Sequence, residues 1–545
     1  MLSSISLALL RYDEPAGHYI EKGTPLDAPH APPSAATLDK TLKAMAGVVG
    51  AAATFASEED RDDYSDRFPI DPHRHRPFAA VAPTSAEQVQ ALVKIAAAQR
   101  VPIWTVSRGK NLGYGTAAPV VAGSIVLDLS RMQKITVDVE NATVLLEPGV
   151  GFYDLYDYLQ TRNIPLWLSV PGNSWGSVIG NALDRGLGYT PYGEHTRNIC
   201  GMEVVLPDGD MVRTGMGAMP NAPSWQLHKY GYGPAWDQLF VQSNFGIVTK
   251  AGMWLMPQPQ IVRGFDVEMD RMEDLGPLID VIGPLRREGV LQQSPTIGNW
   301  FRAANILTTR KQWTDKPGSL SDEVIAAIRK QFGLGWWGVS LRIYGRESVV
   351  QANMDILEKA LNAIKPLSMK PFSWRPGEPF SPTQGGWMGV PMTFPLQSAN
   401  WFGGRGGHIG FSPVLTQSGK LAMEQFNRTY ARYKEFGMDY QASFAFGERH
   451  MLNVNAILLN LDDPDFMKRV DPFLRTLIAD ARQHGYGEYR AHIDYMDTVA
   501  DCYDYNNHAL RRLNERVKNA LDPAGILAPG KSGIWPAAYR KEGKA

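Results

Sequence analysis

Apolar positions along the chain switch between two periods, and the switches predict its elements. Ala79-Ala80-Val81-Ala82-Pro83 is a short apolar run of strand type. Ser85, with Gln88 three places on, is a capping-box pattern, and Val89, Leu92, Val93 and Ile95 follow at helical spacing. A second strand is predicted at 101–106, running into a glycine-bearing loop at 107–115, so this stretch reads as a βαβ unit ending at a candidate ligand loop. Residues 36–55 have helical spacing, and 15–35, rich in Pro, Gly and His, read as an extended arm. Strands are predicted at 124–129, 135–139 and 142–147, the last two joined at Glu140-Asn141. A helix over 150–162 carries the apolar face Tyr153, Leu155, Tyr156 and Leu159. A hairpin pairs 202–206 with 211–214 across Pro207-Asp208-Gly209-Asp210.

The texture changes after Met256-Pro257-Gln258-Pro259. Helices are predicted at 322–331 and 350–364, a strand at 337–344, a Pro- and Gly-rich loop at 371–398, and a basic-faced helix at 506–521. Sequential strands with only occasional helices predict α+β rather than a doubly wound parallel sheet. The breaks divide the chain into an arm and helix (1–70), a first domain (71–258), a second domain (259–500) and a C-terminal segment (501–545).

Charge narrows the partners. The 545 residues carry 55 Lys+Arg against 56 Asp+Glu, with no basic block, which argues against nucleic acid and acidic membranes. A 44% hydrophobic fraction excludes disorder as the main theme. Cys200 and Cys502 alone cannot build a disulfide framework or a cysteine metal cage, which fits a reducing compartment. The apolar run at 1–10 lacks a basic flank and is broken by Arg11, Asp13 and Glu14, so neither a signal peptide nor a membrane span is expected, and the cytoplasm is the default location. No metal site is expected. The 52 Gly, set beside 14 Trp, 21 Tyr and 20 Phe, suit a flat ligand: glycine lets backbone come close and aromatics wall it.

Three stretches carry chemistry. Arg108, Gly109, Lys110, Asn111, Gly113 and Gly115 follow a strand and can form a nest for a pyrophosphate, although a purely structural loop fits the loop taken alone equally well. It is neither a Walker loop nor a spaced dinucleotide fingerprint. The stretch 171–193 adds Gly176, Ser177, Gly180, Asn181, Tyr189 and Gly193, with Ser177 and Asn181 as donors, and Gly246, Ile247 and Val248 form a third glycine-bearing strand end. His408 stands in the glycine run 403–410, where a capping or solvated histidine is the ordinary reading.

Taken together these motifs resemble the vanillyl-alcohol oxidase and p-cresol methylhydroxylase family: the 107–115 loop, Gly176-Ser177-Val178-Ile179-Gly180-Asn181, Gly188-Tyr189-Thr190-Pro191-Tyr192-Gly193, 243–250, and a tail, 527–535, that contains Lys531. The resemblance covers most of the chain past residue 70. It implies a two-subdomain FAD-binding domain with an inserted α+β cap, the flavin domain being completed by the C-terminal tail. It also implies FAD held covalently through His408, as in the eugenol oxidase branch, with His73 assisting attachment and His75 as its rival. Tyr114, Tyr489 and Arg490 would hold a phenolic oxygen. A phenol of pKa ~10 needs about 4 kcal/mol to ionise at neutral pH, and a cation with two hydroxyls can supply it. Hydride would then leave the benzylic carbon for the flavin, giving a para-quinone methide. The activity implied is oxidation of para-substituted phenols with O2 as acceptor and H2O2 as product, by a homodimer or larger assembly. The alternatives are a dehydrogenase of the same fold that serves a cytochrome, and a carbohydrate or hydroxyacid oxidase.

The pattern breaks in the pocket, which Gly172, Leu396, Phe411, Ser412 and Ser443 are expected to wall. Gly172 stands where the oxidases carry an Asp, and Leu396 where a pocket Glu is expected. A replacement base would come from Glu448, His450 or Asp494. Otherwise the enzyme favours substrates already bearing an alcohol, or para chains that desaturate.

Overall fold

The structure is a computed structural model that describes residues 33–539. Most of the arm expected at 15–35, and all of 1–10, lie outside the described residues. Helix Ala35–Val49 stops short of residue 55 because Gly50 turns the chain at φ +85°, a left-handed geometry natural to glycine. Thr54–Phe55 instead forms an edge strand, antiparallel to Ala79–Val81.

Two sheets are built before residue 255. In the first the order is Thr54–Phe55, Ala79–Val81, Ile125–Asp128, Ile103–Val106, the last three parallel, with helix Ala86–Gln99 as the crossover. Ser85 caps that helix, accepting from the Gln88 amide at 3.3 Å, whereas the Gln88 side chain reaches back to the Thr84 amide rather than to Ser85. The second sheet is antiparallel, in the order Ile135–Asp138, Thr143–Leu146, Ile247–Trp254, Ile199–Val205, Met211–Arg213. Phe152, Leu155 and Leu159 of helix Phe152–Thr161 share a core with it.

An eight-stranded antiparallel sheet is drawn entirely from residues 261–460. Its order is Ser368–Trp374, Ile261–Met269, Trp337–Gly345, Thr296–Asn299, Gln441–Phe446, His450–Asn460, Gly406–Phe411, with Val414–Thr416 also on the long strand. The strand at 368–374 takes the beginning of the segment expected to be loop, and 3-10 turns fold much of the remainder. Helices Leu275–Arg287, Glu347–Ala363, Gly419–Glu435 and Pro464–Gln483 bury Ile279, Leu357, Phe426 and Phe473 against this sheet, together with Ile297, Phe444, Ile457, Ile409 and Phe411. Each such side chain contributes about 1.5–3 kcal/mol. The other face of the sheet is left for the cavity.

The C-terminal segment folds back onto the first sheet. Helix Tyr505–Leu521 leads to Leu527, which bridges Ile103 in parallel. Fully buried Lys518 pins the turn, donating to the carbonyls of Asn244 and Leu527 and to Asp522, all at 2.7 Å.

Candidate active site

A cavity of about 520 Å³ lies between the glycine loops and the open face of the eight-stranded sheet. Gly109, Lys110, Asn111 and Gly115 reach it from the first loop, and Gly176, Ser177, Gly180, Asn181 and Tyr189 from the second. Gly246, Ile247 and Val248 line it, and Lys531 reaches it from the tail. Tyr114, Tyr489, Arg490, Gly172, Leu396, Ser443 and His408 line it as well.

Strand parity decides what the sheet offers. Successive side chains point to opposite faces, so His408 and Gly410 face the cavity while Ile409 and Phe411 enter the core. Across the sheet Gln441, Ser443 and Ala445 face in, and Ala442, Phe444 and Phe446 face out. Phe411 is therefore core, not a ring beside the ligand. Ser412, just past the strand, is buried off the cavity, its carbonyl accepting from the Tyr489 amide at 3.3 Å.

A charged cluster closes one end. The Arg490 guanidinium lies 4.1 Å from the centroid of the Tyr114 ring. Its Nε donates to Asp184 at 3.0 Å and its Nη2 to Asn111 Oδ1 at 2.5 Å. Lys531 sits 3.5 Å from the other oxygen of Asp184. Burial pushes the Asp184 carboxyl up, but Lys531, Arg490 and the Asn111 amide outweigh it and hold the group at about 2. Burial likewise opposes the charge on Arg490, yet Asp184 and the two tyrosines keep it firmly protonated. Tyr114 is pushed well above the ordinary phenol range, by burial first and then by Tyr489, against the pull of Arg490. Behind Tyr489, Glu488 is buried and pushed up to about 8 by that burial, so it is neutral at pH 7.

His408 is the second centre. Burial pulls its imidazole down to about 4, and its Nδ1 is buried without a partner among the described residues. Gly113, at φ +82°, passes so close that a methyl group there would stand 2.9 Å from the His408 ring. Phe68 packs on the same ring, centroids 5.3 Å apart. Beside it runs a buried chain of acids and bases: Asp66 with His492 Nε2 at 2.8 Å, His492 Nδ1 near Asp494 at 3.4 Å, and Asp494 with His75 Nε2 at 2.9 Å.

Several singled-out residues lie elsewhere or are otherwise engaged. His73 is exposed, whereas its rival His75 is buried on Asp494. Arg108 pairs with Asp154, away from the cavity. Gly193 closes the turn that starts at Thr190. The Ser177 hydroxyl proton is committed to the Pro148 carbonyl at 2.6 Å, so Ser177 offers a ligand no donor there. The carbonyl oxygen of the Asn181 side chain faces His195 Nδ1 at 2.6 Å, which leaves its amide nitrogen to point elsewhere. Of the proposed bases, Glu448 is half exposed and paired with Arg197, and neither it nor His450 nor Asp494 lines the cavity. Sequence reasoning passed over Asp184, Asn244, Asp66 and His492. A buried Arg490 demands a carboxylate, and Asp184, directly after the glycine helix, was the available signal.

Comparison with known proteins decides the family. Residues 77–215 match the FAD binding domain family and 392–532 the C-terminal domain of FAD linked oxidases. The chain is 39% identical to the flavoprotein subunit of 4-cresol dehydrogenase [hydroxylating] of Pseudomonas putida, over 86% of this chain and 89% of that one. The chain belongs to the vanillyl-alcohol oxidase and p-cresol methylhydroxylase family. Two solved members superpose on it with a TM-score of 0.88: 4-ethylphenol oxidase from Gulosibacter chungangensis in complex with isoeugenol (34% identity, 93% of this chain and 99% of that one) and p-cresol methylhydroxylase with substrate bound (36% identity, 92% and 98%). The α+β architecture is thus the p-cresol methylhydroxylase fold, and the protein is an FAD-linked oxidoreductase. The residues present fit FAD. Gly109, Gly115, Gly176, Gly180 and Gly246 line the cavity and let backbone come close to a ligand, with Lys110, Arg490 and Lys531 on the same lining to face an anionic pyrophosphate.

Proposed function

We propose that the protein is an FAD-dependent oxidase of para-substituted phenols, acting at the benzylic carbon, with O2 as electron acceptor and H2O2 as product. The reading is carried by Arg490 over Tyr114 with Tyr489 beside them, a buried cation and two phenolic hydroxyls converging on one end of the cavity. A cation lowers a phenol's pKa by about 1–3 units, and hydrogen bonds from the tyrosines add to that, so the set favours phenolate at neutral pH. Bound FAD supplies the hydride acceptor. Tyr114, Tyr489 and Arg490 hold the phenolate oxygen, whose electron density runs through the ring and makes the benzylic hydride a better leaving group, with a para-quinone methide as the substrate-derived product of that step. The cavity's only carboxylate among the described residues, Asp184, is tied to Arg490 and Lys531, so no free carboxylate assists hydration. The quinone methide therefore loses a side-chain proton, or the substrate already carries the alcohol.

We also propose that His408 bonds covalently to the flavin. A buried imidazole that stays neutral down to about 4, on a residue that lines the cavity, keeps one ring nitrogen with a lone pair and so has the required nucleophile. His75 is the better placed of the two candidate assisting histidines, since it alone is buried.

The function is tested by anaerobic flavin bleaching with 4-alkylphenols, then by peroxide formation in air with no added acceptor. Bleaching without peroxide points to a cytochrome acceptor, the reading favoured by the dehydrogenase name of the Pseudomonas relative. Absence of bleaching by any phenol overturns the proposal.

A further inference from the structure

We propose that Arg302 is a specificity-determining residue that receives a carboxylate at the far end of the para substituent, so that the preferred substrates are phenols whose para chain ends in a carboxylate. The inference rests on the phenol-oxidising reading and narrows its substrate class.

Arg302 sits on the short helix Trp300–Ala304, directly after strand Thr296–Asn299, and lines the cavity. Its side chain folds back across that strand. A methyl group at Gly298 would stand 2.6 Å from Arg302 Cδ, so the glycine is what lets the stem lie flat on the sheet. Gly298 pairs with Ser443, and paired residues share a face. Arg302 therefore lies on the face that carries Ser443, Gln441 and Gly410 towards the ligand.

Its guanidinium has no ion-pair or hydrogen-bond partner among the described residues. The other cations of the cavity are accounted for: Arg490 and Lys531 are held by Asp184, and Lys110 stands on the exposed glycine loop of the opposite wall. Asp184, the one acid among the described residues that line the cavity, is held by Arg490 and Lys531, so none is left to neutralise Arg302. Five N–H donors in a rigid fork match a carboxylate in charge and in geometry.

The spacing fits. The Tyr114 hydroxyl packs on Gly410, and the Gly410 strand is separated from the Gly298 strand by the two strands between them. Through Ser443, Gly298 lies level with Val454, while Gly410 pairs with Ala456, so the two are three strand spacings apart across the sheet and two residues apart along it, about 16 Å. From phenolic oxygen to carboxylate oxygen, 3-(4-hydroxyphenyl)propanoate measures roughly 9 Å, and a hydrogen bond of about 2.8 Å at each end, with the guanidinium reaching beyond Arg302 Cδ, lets it span that gap.

The test compares 3-(4-hydroxyphenyl)propanoate with the uncharged 4-propylphenol in the flavin-loaded enzyme and in Arg302→Met and Arg302→Lys. The expected result is a kcat/KM for the propanoate at least about tenfold above that for 4-propylphenol, a preference that shrinks in high salt. Arg302→Met should lose about 10- to 100-fold on the propanoate, mostly in KM, while 4-propylphenol changes by less than about threefold. Arg302→Lys should keep part of the preference. Equal loss on both substrates would show a merely structural role, and a wild-type preference for 4-propylphenol would show that no anion site exists; either overturns the inference and leaves phenol oxidation standing. If neither compound reduces the flavin while other 4-alkylphenols do, this inference falls alone; if no phenol reduces it, the phenol reading falls with it.

Discussion

Arg490 Nε and Asp184 Oδ2 meet at 3.0 Å, and that one contact fixes the direction of the guanidinium plane. The same carboxylate oxygen accepts from the Asn111 amide at 3.2 Å, and Asn111 in turn takes Arg490 Nη2. Held along its edge, the guanidinium offers its face to the Tyr114 ring. Asp184 thus orients Arg490.

Asp184→Asn should leave Arg490 and Lys531 without a counter-charge. Breaking a buried pair costs about 3–5 kcal/mol, so the variant should unfold at clearly lower denaturant, and the kcat/KM for phenols should fall by about 100-fold or more. The wild-type carboxyl is depressed from 3.8 to about 2. A depressed acid stabilises the fold at pH above its unfolded value and loses that contribution as pH falls through its folded one, so about 2–3 kcal/mol should disappear between pH 4 and pH 2. Denaturant melts across that range should show a shallower acid limb in Asp184→Asn; identical limbs would refute the assignment.

Glu488 sets an alkaline limit. Burial raises it from 4.5 to about 8, directly before Tyr489 in the chain. Its neutral form gives a stability contribution that is full below about pH 4.5 and is lost as pH rises through 8. Ionisation also places a buried negative charge behind the hydroxyls proposed to hold phenolate. KM for phenols should therefore climb above pH 8 in the wild type, and Glu488→Gln should remove that climb while leaving kcat at pH 7 within about threefold. A climb that persists in the variant would assign it to another group.

Legibility in the sequence followed distance along the chain. The βαβ unit, the hairpin at 199–213 and the glycine loops were visible because caps, turns and periodicity act over a few residues. Phe411 was placed beside the ligand because it neighbours His408 in a glycine run, but which face of a strand is buried depends on partners that local sequence does not contain. His73 and His75 are two residues apart and equivalent on paper, and Asp494, 419 residues beyond His75, separates them. Asp184 meets Arg490 across 306 residues, a pairing that only burial makes compulsory. That positions 172 and 396 carry no charge is read directly from the sequence, and both residues line the cavity.

His408 supplies a direct chemical check. If it carries the flavin, acid precipitation should leave the yellow colour in the pellet, and His408→Ala should release all of it to the supernatant while still binding FAD. Release from the wild type would show that the neutral, partnerless Nδ1 serves only to pack against the cofactor.

Gly172 and Tyr189 are coupled through space. A methyl group at Gly172 would lie 3.0 Å from the Tyr189 hydroxyl and 3.6 Å from Pro395, so Tyr189 occupies much of the room that a side chain at 172 would need. Gly172→Asp alone should be overpacked, costing about 1–3 kcal/mol. In Gly172→Asp/Tyr189→Phe the lost hydroxyl makes space, and the new carboxylate faces the cavity as a base. The double variant should recover the stability lost by the single one, with a coupling of about 1 kcal/mol or more. It should also shift products from the vinylphenol towards the hydrated alcohol when 4-ethylphenol is oxidised. Chromatography of the products decides this: an unchanged ratio in a stable double variant would mean that hydration is limited by water access and not by the missing acid.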